Sequence, residues 1–132
     1  MSLPPLSSFR SVHIIGCCGA GCAPLARILL EKGFRVSGSD LLDNAAAATL
    51  RKHGAHIAPA GHRVENLPPE NDRLLVVRTS AAGTENPEVA EAMRRGLPVL
   101  RRGEALAVVA DSYKRPVAVS GSHEKCAMLL HF

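Results

Sequence analysis

Apolar residues in this chain fall into short unbroken runs separated by amphipathic stretches. Val12 to Gly16, Arg73 to Thr79 and Leu97 to Leu100 are continuous runs bounded by glycine or polar residues, and Val117 to Ser120 is a fourth. Runs of that length without alternation fit strands covered on both faces, the condition of a parallel sheet. Between them the period changes. From Cys22 to Lys32, Leu25, Ile28 and Leu29 share one helical face, Pro24 suits the first turn, and Gly33 ends the segment. Arg35 to Ser39 reads as a strand closing at Asp40. Asn44 to His53 is Ala-rich and helical, stopped by Gly54, and His56 to Ala58 is a short strand. Asn66 to Asn71, with Pro68 and Pro69, is a loop. Asn86-Pro87-Glu88 caps and opens a helix running through Arg95, with Gly96 as its stop. Gly103 to Ala110 predicts a further helix, and Met1 to Ser8 a loose lead-in.

Strands alternating with helices at this spacing imply right-handed crossovers. The expected fold class is α/β: a Rossmann-like three-layer domain with a mainly parallel sheet of five to six strands. Asp111 to Arg115 is polar enough to mark a domain edge, dividing residues 1–115 from residues 116–132.

The 132 residues support one compact domain, and aromatics make up only 3% of them, so the core must be aliphatic. No apolar run reaches the roughly 18 residues that span a bilayer. The N-terminus lacks a basic segment followed by an apolar one, so no signal peptide is expected and the cytoplasm is the default. Cys17, Cys18, Cys22 and Cys126 lack the paired spacing of a zinc site and read as small reduced residues, three of them in or beside one tight turn. The formal charge of +4 permits nucleic-acid binding, but aromatics for base stacking are missing. A phosphorylated small molecule explains the charge equally well, and no membrane or nucleic-acid partner is expected.

Two glycine-rich loops carry the candidate chemistry. Each directly follows a strand, where backbone N–H groups and a helix N-terminus hold phosphate oxygens. The first is Gly16-Cys17-Cys18-Gly19-Ala20-Gly21, followed at the right distance by Asp40. This approximates the dinucleotide fingerprint, G-x-G-x-x-G with an acid about 20 residues on. Cys18 stands at the middle glycine, where a side chain hinders close approach of a dinucleotide pyrophosphate. A diphosphate remains compatible, while nicotinamide cofactors are disfavoured. The second loop is Gly121-Ser122-His123-Glu124-Lys125-Cys126.

The stretch from His13 to Gly21 resembles the H-F-I-G-I-G-G-A-G opening of the Mur ligase family, most of all its L-alanine-adding branch. Val36-Ser37-Gly38-Ser39-Asp40 is similar to that family's V-S-G-S-D. Thr79 to Ala82 with Asn86-Pro87-Glu88 resembles S-S-A-I…N-P-E, Pro98 to Glu104 resembles P-V-I-R-R-A-E, and Val119 to Lys125 resembles V-A-G-T-H-G-K. Order and spacing agree over nearly the whole chain. The resemblance implies an N-terminal domain that binds the UDP part of UDP-N-acetylmuramate. Gly16, Cys18, Gly19, Ala20 and Gly21 would surround the diphosphate, Ser39 and Asp40 would meet the uridine, and Ser80 with Ala81 would line the opposite wall. It further implies an ATP- and magnesium-dependent enzyme that activates the muramic acid carboxylate as an acyl phosphate, which the amine of L-alanine attacks.

In such ligases the second loop is the phosphate loop of a central ATP-binding domain, so residues 116–132 would begin that domain. Gly121, Ser122, His123 and Lys125 match. Glu124 stands for glycine and Cys126 for threonine, crowding the phosphates and replacing a hard magnesium ligand with a soft one. This chain alone is therefore expected to hold no catalytic residue, bind no metal and turn over neither ATP nor substrate. The sibling that attaches murein tripeptide to UDP-N-acetylmuramate also has a cysteine in its first loop. An NAD(P)-binding oxidoreductase domain and a non-catalytic nucleotide-binding module are the rivals from other classes. His13 reads as a structural strand histidine, and His62 as a loop residue with a substrate-side role disfavoured. Arg101-Arg102 reads either as facing a domain junction or as a solvated strand end.

Overall fold

A computed structural model of the protein describes residues 3–69 and 72–113. Five strands, β1 (Ser11–Ile15), β2 (Arg35–Ser39), β3 (His56–Ile57), β4 (Leu74–Arg78) and β5 (Val99–Arg101), form one sheet. Its order is β3-β2-β1-β4-β5 and every pairing is parallel. Helices α1 (Cys22–Glu31), α2 (Ala45–Lys52), α3 (Pro87–Arg94) and α4 (Arg102–Tyr113) flank it. This is the expected Rossmann-like α/β arrangement. The sixth strand expected at Val117 to Ser120 lies outside the described residues.

β1 is central and all five of its residues are buried. Its side chains alternate between two cores. Val12 and Ile14 join Val36, Leu75 and Val77 beneath α1, α2 and α4; Leu25 and Leu29, Leu50, and Val108 complete that layer. Ile15, Leu74 and Val76 face the other way, against Val89 and Ala92 of α3 and against Leu67 and Leu97. Each fully buried Leu or Ile contributes about 1.5–3 kcal/mol, so the larger core holds most of the fold's stability.

The helix signals act through their caps. Asn44 Oδ1 accepts from the amides of Ala46 and Ala47, and Asn86 Oδ1 from those of Glu88 and Val89. Three details differ from the sequence reading. The lead-in is anchored: Leu6–Ser8 is a 3-10 turn, Leu6 and Phe9 are buried, and the Arg73 guanidinium donates to the carbonyls of Ser7 and Ser8. α4 begins at Arg102 and runs to Tyr113, because Glu104 accepts from the Arg101 amide and secures the first turn. The last strand starts at Val99, since Pro98 has no N–H for the ladder and contributes only its carbonyl, to Val76 N.

Between β3 and β4 the described crossover holds a 3-10 turn, Val64–Asn66, and no α-helix. A cavity of about 730 Å³, lined in part by Phe34, Ser37, His56 and Pro68, lies beside it. No described helix is long and apolar enough to cross a membrane.

Candidate nucleotide-binding site

The chain leaves β1 toward β2 on one side, while β4 pairs with β1 on the other. This reversal opens a crevice at the carboxyl ends of β1 and β4, where open α/β sheets bind ligands. Two loops meet there. A Cβ on Gly16, whose φ is +89°, would lie 2.6 Å from Thr79 Cγ2, so only glycine lets the β1 and β4 loops touch. The β4 loop is braced: Thr79 N donates to Ile15 O, and Arg78 Nη1 donates to Ala82 O at 3.0 Å. Ser80 and Ala81 stand exposed on that braced wall.

The glycine loop consumes most of its own donors. Gly16 N and Cys17 N donate to Ser39 O, at 2.7 and 3.1 Å. Gly19 N returns to Gly16 O, and Cys22 N and Ala23 N both return to Gly19 O. Cys18 N donates to Asp40 Oδ2 at 3.0 Å. Pro24 has no N–H. Among the described residues the amides of Ala20 and Gly21 donate to nothing. They lie just before α1, where the helix dipole favours negative charge.

Two of the expected ligand residues are held differently from what the sequence implied. Asp40 is no free carboxylate at an exposed strand end: it is half-buried, and while Oδ2 holds the Cys18 amide, Oδ1 accepts from Leu42 N at 3.2 Å. Its local work is to clamp the glycine loop to the end of β2. Ser39 is fully buried, and its hydroxyl donates to Glu88 Oε1 at 2.7 Å, so its side chain turns inward, away from the crevice. The alternation of a strand dictates this, since neighbours face opposite sides of the sheet.

Burial raises the pKa of the Cys17, Cys18 and Cys22 thiols, most strongly for Cys17. Cys17 Sγ lies 3.8 Å from Cys18 Sγ, and the side chain of Cys17 packs on Gly38 so closely that a Cβ there would meet Cys17 Cβ at 2.8 Å. Gly121, Ser122, His123 and Lys125 fall outside the described residues.

Sequence reasoning gave two features no place at this site. The first is Arg102. Its side chain crosses Gly21: a Cβ on that glycine would meet Arg102 Cδ at 2.6 Å and Nε at 2.7 Å. The guanidinium makes no hydrogen bond or ion pair among the described residues, so a free cation sits beside the two free amides. Only the contact across the β1 and β5 loops distinguishes it from an ordinary solvated strand-end arginine.

The second is Glu88, fully buried at the start of α3. Oε1 accepts from Ser39 Oγ and lies 2.6 Å from His13 Nε2. Oε2 accepts from Arg63 N at 3.1 Å and Asn66 Nδ2 at 3.0 Å, and lies 3.3 Å from His62 Nδ1. His13 Nδ1 in turn meets Ser37 Oγ at 2.7 Å. Burial alone would raise the Glu88 pKa. The hydrogen bonds of His13, Asn66 and Ser39 outweigh it and pull the carboxyl down to about 2. In sequence Glu88 reads only as the acidic residue of a helix start.

Comparison with known proteins agrees with the fold and gives the family. Residues 11–114 match the model of the Mur ligase family, catalytic domain. UDP-N-acetylmuramate–L-alanine ligases of Aquifex aeolicus and Saccharopolyspora erythraea are 47% and 46% identical over 116 and 115 residues, covering 88% and 86% of this chain. Those alignments cover 24% and 23% of the two relatives, so the chain spans about a quarter of their length. Among solved structures, the UDP-N-acetylmuramate–alanine ligase of Thermotoga maritima superimposes with a TM-score of 0.66 at 30% identity, over 80% of this chain and 23% of that one. With its parallel sheet, its glycine loop and its sequence similarity over nearly the whole described length, this chain belongs to the Mur ligase family.

Proposed function

We propose that this chain is the nucleotide-sugar-binding portion of an ATP-dependent ligase that joins L-alanine to the muramic acid carboxylate of UDP-N-acetylmuramate. The observation that carries the reading is the pair of open amides at Ala20 and Gly21, with the Arg102 cation lying across Gly21. Two backbone donors, a helix N-terminus and a guanidinium on one short loop form a receptor for a diphosphate. Gly16 and Gly19 shape that loop, the Cys18–Asp40 clamp holds it, and Ser80 with Ala81 forms the facing wall. On this reading residues 1–115 belong to the nucleotide-binding unit and residues 116–132 to the start of an ATP-binding unit. The cytoplasm, where such precursors are made, is the proposed compartment.

The residues of the second loop do not fit a magnesium-assisted phosphate loop. Glu124 puts an anionic residue where such a loop has glycine, and the Cys126 thiol is a poor partner for a hard cation. What its own residues do is bind and orient the uridine diphosphate, leaving the sugar carboxylate to the rest of the ligase.

The alanine-adding reading is favoured over the tripeptide-adding sibling by the names and identities of the curated relatives. It is favoured over a nicotinamide-binding domain by Cys18 at the middle glycine. Calorimetric titration of the chain with UDP, UDP-N-acetylmuramate and NADH tests it. Binding of both uridine ligands with no response to NADH is expected, and NADH binding without UDP binding overturns it.

A further inference from the structure

His62 lies at the carboxyl end of the sheet, just past β3, where Gly61 N donates to Asp40 O at 2.8 Å. Its Nδ1 sits 3.0 Å from Ser39 Oγ and 3.3 Å from Glu88 Oε2. The Ser39 hydroxyl already donates to Glu88 Oε1, so toward His62 it offers only lone pairs, as does the carboxylate. Both neighbours of Nδ1 are acceptors, and Nδ1 therefore carries a proton. In the neutral ring that leaves Nε2 with a lone pair.

Nε2 makes no hydrogen bond among the described residues, and no buried side-chain nitrogen or oxygen there lacks a partner. Nε2 is therefore open to solvent although the side chain is only 15% exposed. A neutral ring anchored at one nitrogen and open at the other is a fixed acceptor. The preceding residue, Gly61, is bonded through its amide to Asp40, whose own carboxylate oxygens are occupied by Cys18 N and Leu42 N.

We propose that His62, its tautomer set by Glu88 and Ser39, presents Nε2 as the acceptor for a hydrogen-bond donor on the nucleoside of the bound ligand, either the uracil N3–H or a ribose hydroxyl. This rests on the uridine diphosphate reading above. His62 is on this view a binding residue, and Glu88 is its positioning residue.

The test uses side chains that imitate one nitrogen each. Asparagine reaches the position of Nδ1 and keeps a donor toward Ser39 and Glu88. Glutamine reaches the position of Nε2. His62→Asn is expected to fold with a melting temperature close to that of the unchanged chain, and to lose about tenfold in UDP affinity, the worth of one hydrogen bond. His62→Gln is expected to be less stable and to retain more of the affinity. A folded His62→Asn chain that binds UDP within twofold of the unchanged chain overturns the proposal, because the anchoring role alone would then suffice. Long-range ¹⁵N spectra of the unchanged chain provide a reading that does not depend on either variant folding. UDP should shift the His62 Nε2 resonance while Nδ1 stays protonated, and an unmoved Nε2 overturns the proposal.

CDP, which lacks N3–H, and 2′-deoxy-UDP identify the donor. The ligand whose affinity no longer responds to His62→Asn lacks it, and a response with both points to the 3′-hydroxyl. If the unchanged chain binds no UDP at all, the parent reading falls and this one with it. If it does bind UDP and His62→Asn has no effect, this proposal alone falls.

Discussion

Two polar regions of this domain both adjoin β1, one through His13 and one through the loop that follows Ile15, and they follow opposite rules. Around Glu88 no buried side-chain nitrogen or oxygen of the described residues lacks a partner: the carboxylate is met by His13, Ser39, His62, Arg63 N and Asn66 Nδ2. At the end of the central strand β1, the glycine loop leaves Ala20 N and Gly21 N open beside an Arg102 that is unpaired among the described residues. A saturated cluster stores no affinity for anything else and serves as scaffold. An open cluster of donors and one cation is unfinished until an anion completes it. Degree of saturation, rather than polarity, separates the frame from the binding edge. His62 belongs to both, with one nitrogen in each.

The comparison breaks most visibly if the frame is cut. Glu88→Ala should cost about 3–5 kcal/mol, because it strands several buried groups at once. Chemical denaturation would register the loss, and a change below 1 kcal/mol would show that the cluster is not a frame. Acid tests the same point with no mutation. The Glu88 pKa is lowered from near 4.5 to about 2, so its contribution, about 3 kcal/mol, is fully present above pH 4.5. It is lost as pH falls toward and through 2. Replacing the carboxylate with Gln should flatten that part of the stability profile.

A smaller effect is expected where frame and edge join. A Cβ on Gly38 would lie 2.9 Å from Ile14 O and 2.8 Å from Cys17 Cβ, and backbone cannot yield cheaply. Gly38→Ala should cost about 1–3 kcal/mol by overpacking β1 against β2. Asp40→Ala removes the clamp on Cys18 N, and a loss of about 1 kcal/mol in stability is expected together with weaker UDP binding. UDP affinity falling with stability unchanged would mark Asp40 as ligand-facing instead of a clamp.

At the open edge the order reverses. Arg102→Ala should leave the melting temperature unchanged and weaken UDP binding about tenfold, with a reduced salt dependence. A stability loss without an affinity loss would place Arg102 in the frame. Arg94, 72% exposed in its pair with Glu91, serves as the control, and Arg94→Ala should change neither reading.

Much of the frame was legible in the sequence, for identifiable reasons. Val12 to Ile15 and Leu74 to Val77 are unbroken apolar runs, and such runs have few alternatives to a buried parallel strand. Asn44 and Asn86 announce their helices through short-range hydrogen bonds, so the local sequence suffices. Leu6 was misread because a lone apolar residue among prolines and serines carries no period. Glu88 was legible only as a cap, since what makes it a hub is contact with residues 13, 39, 62 and 66, which no local pattern contains. The open edge divides the same way. Its glycines stand out in sequence, but the turning of Ser39 inward, the occupation of Asp40 and the reach of Arg102 to Gly21 depend on how distant strands are brought together.

The central place of β1 also bears on the order in which the molecule can assemble. β1 and β2 can close with α1 as a compact unit early, over a short loop, whereas β1 gains its other neighbour only when Leu74 to Arg78 arrive. His13 has no carboxylate to meet until Glu88 has been made. A chain emerging from the ribosome therefore carries a half-built sheet, with one bare edge on β1 and a histidine beneath it that lacks its carboxylate, until β4 and α3 have emerged. The carboxylate of α3 is the latch of the fold, and the slow step of refolding should be the long-range docking of β4 and α3 onto a preformed β1–α1–β2 unit.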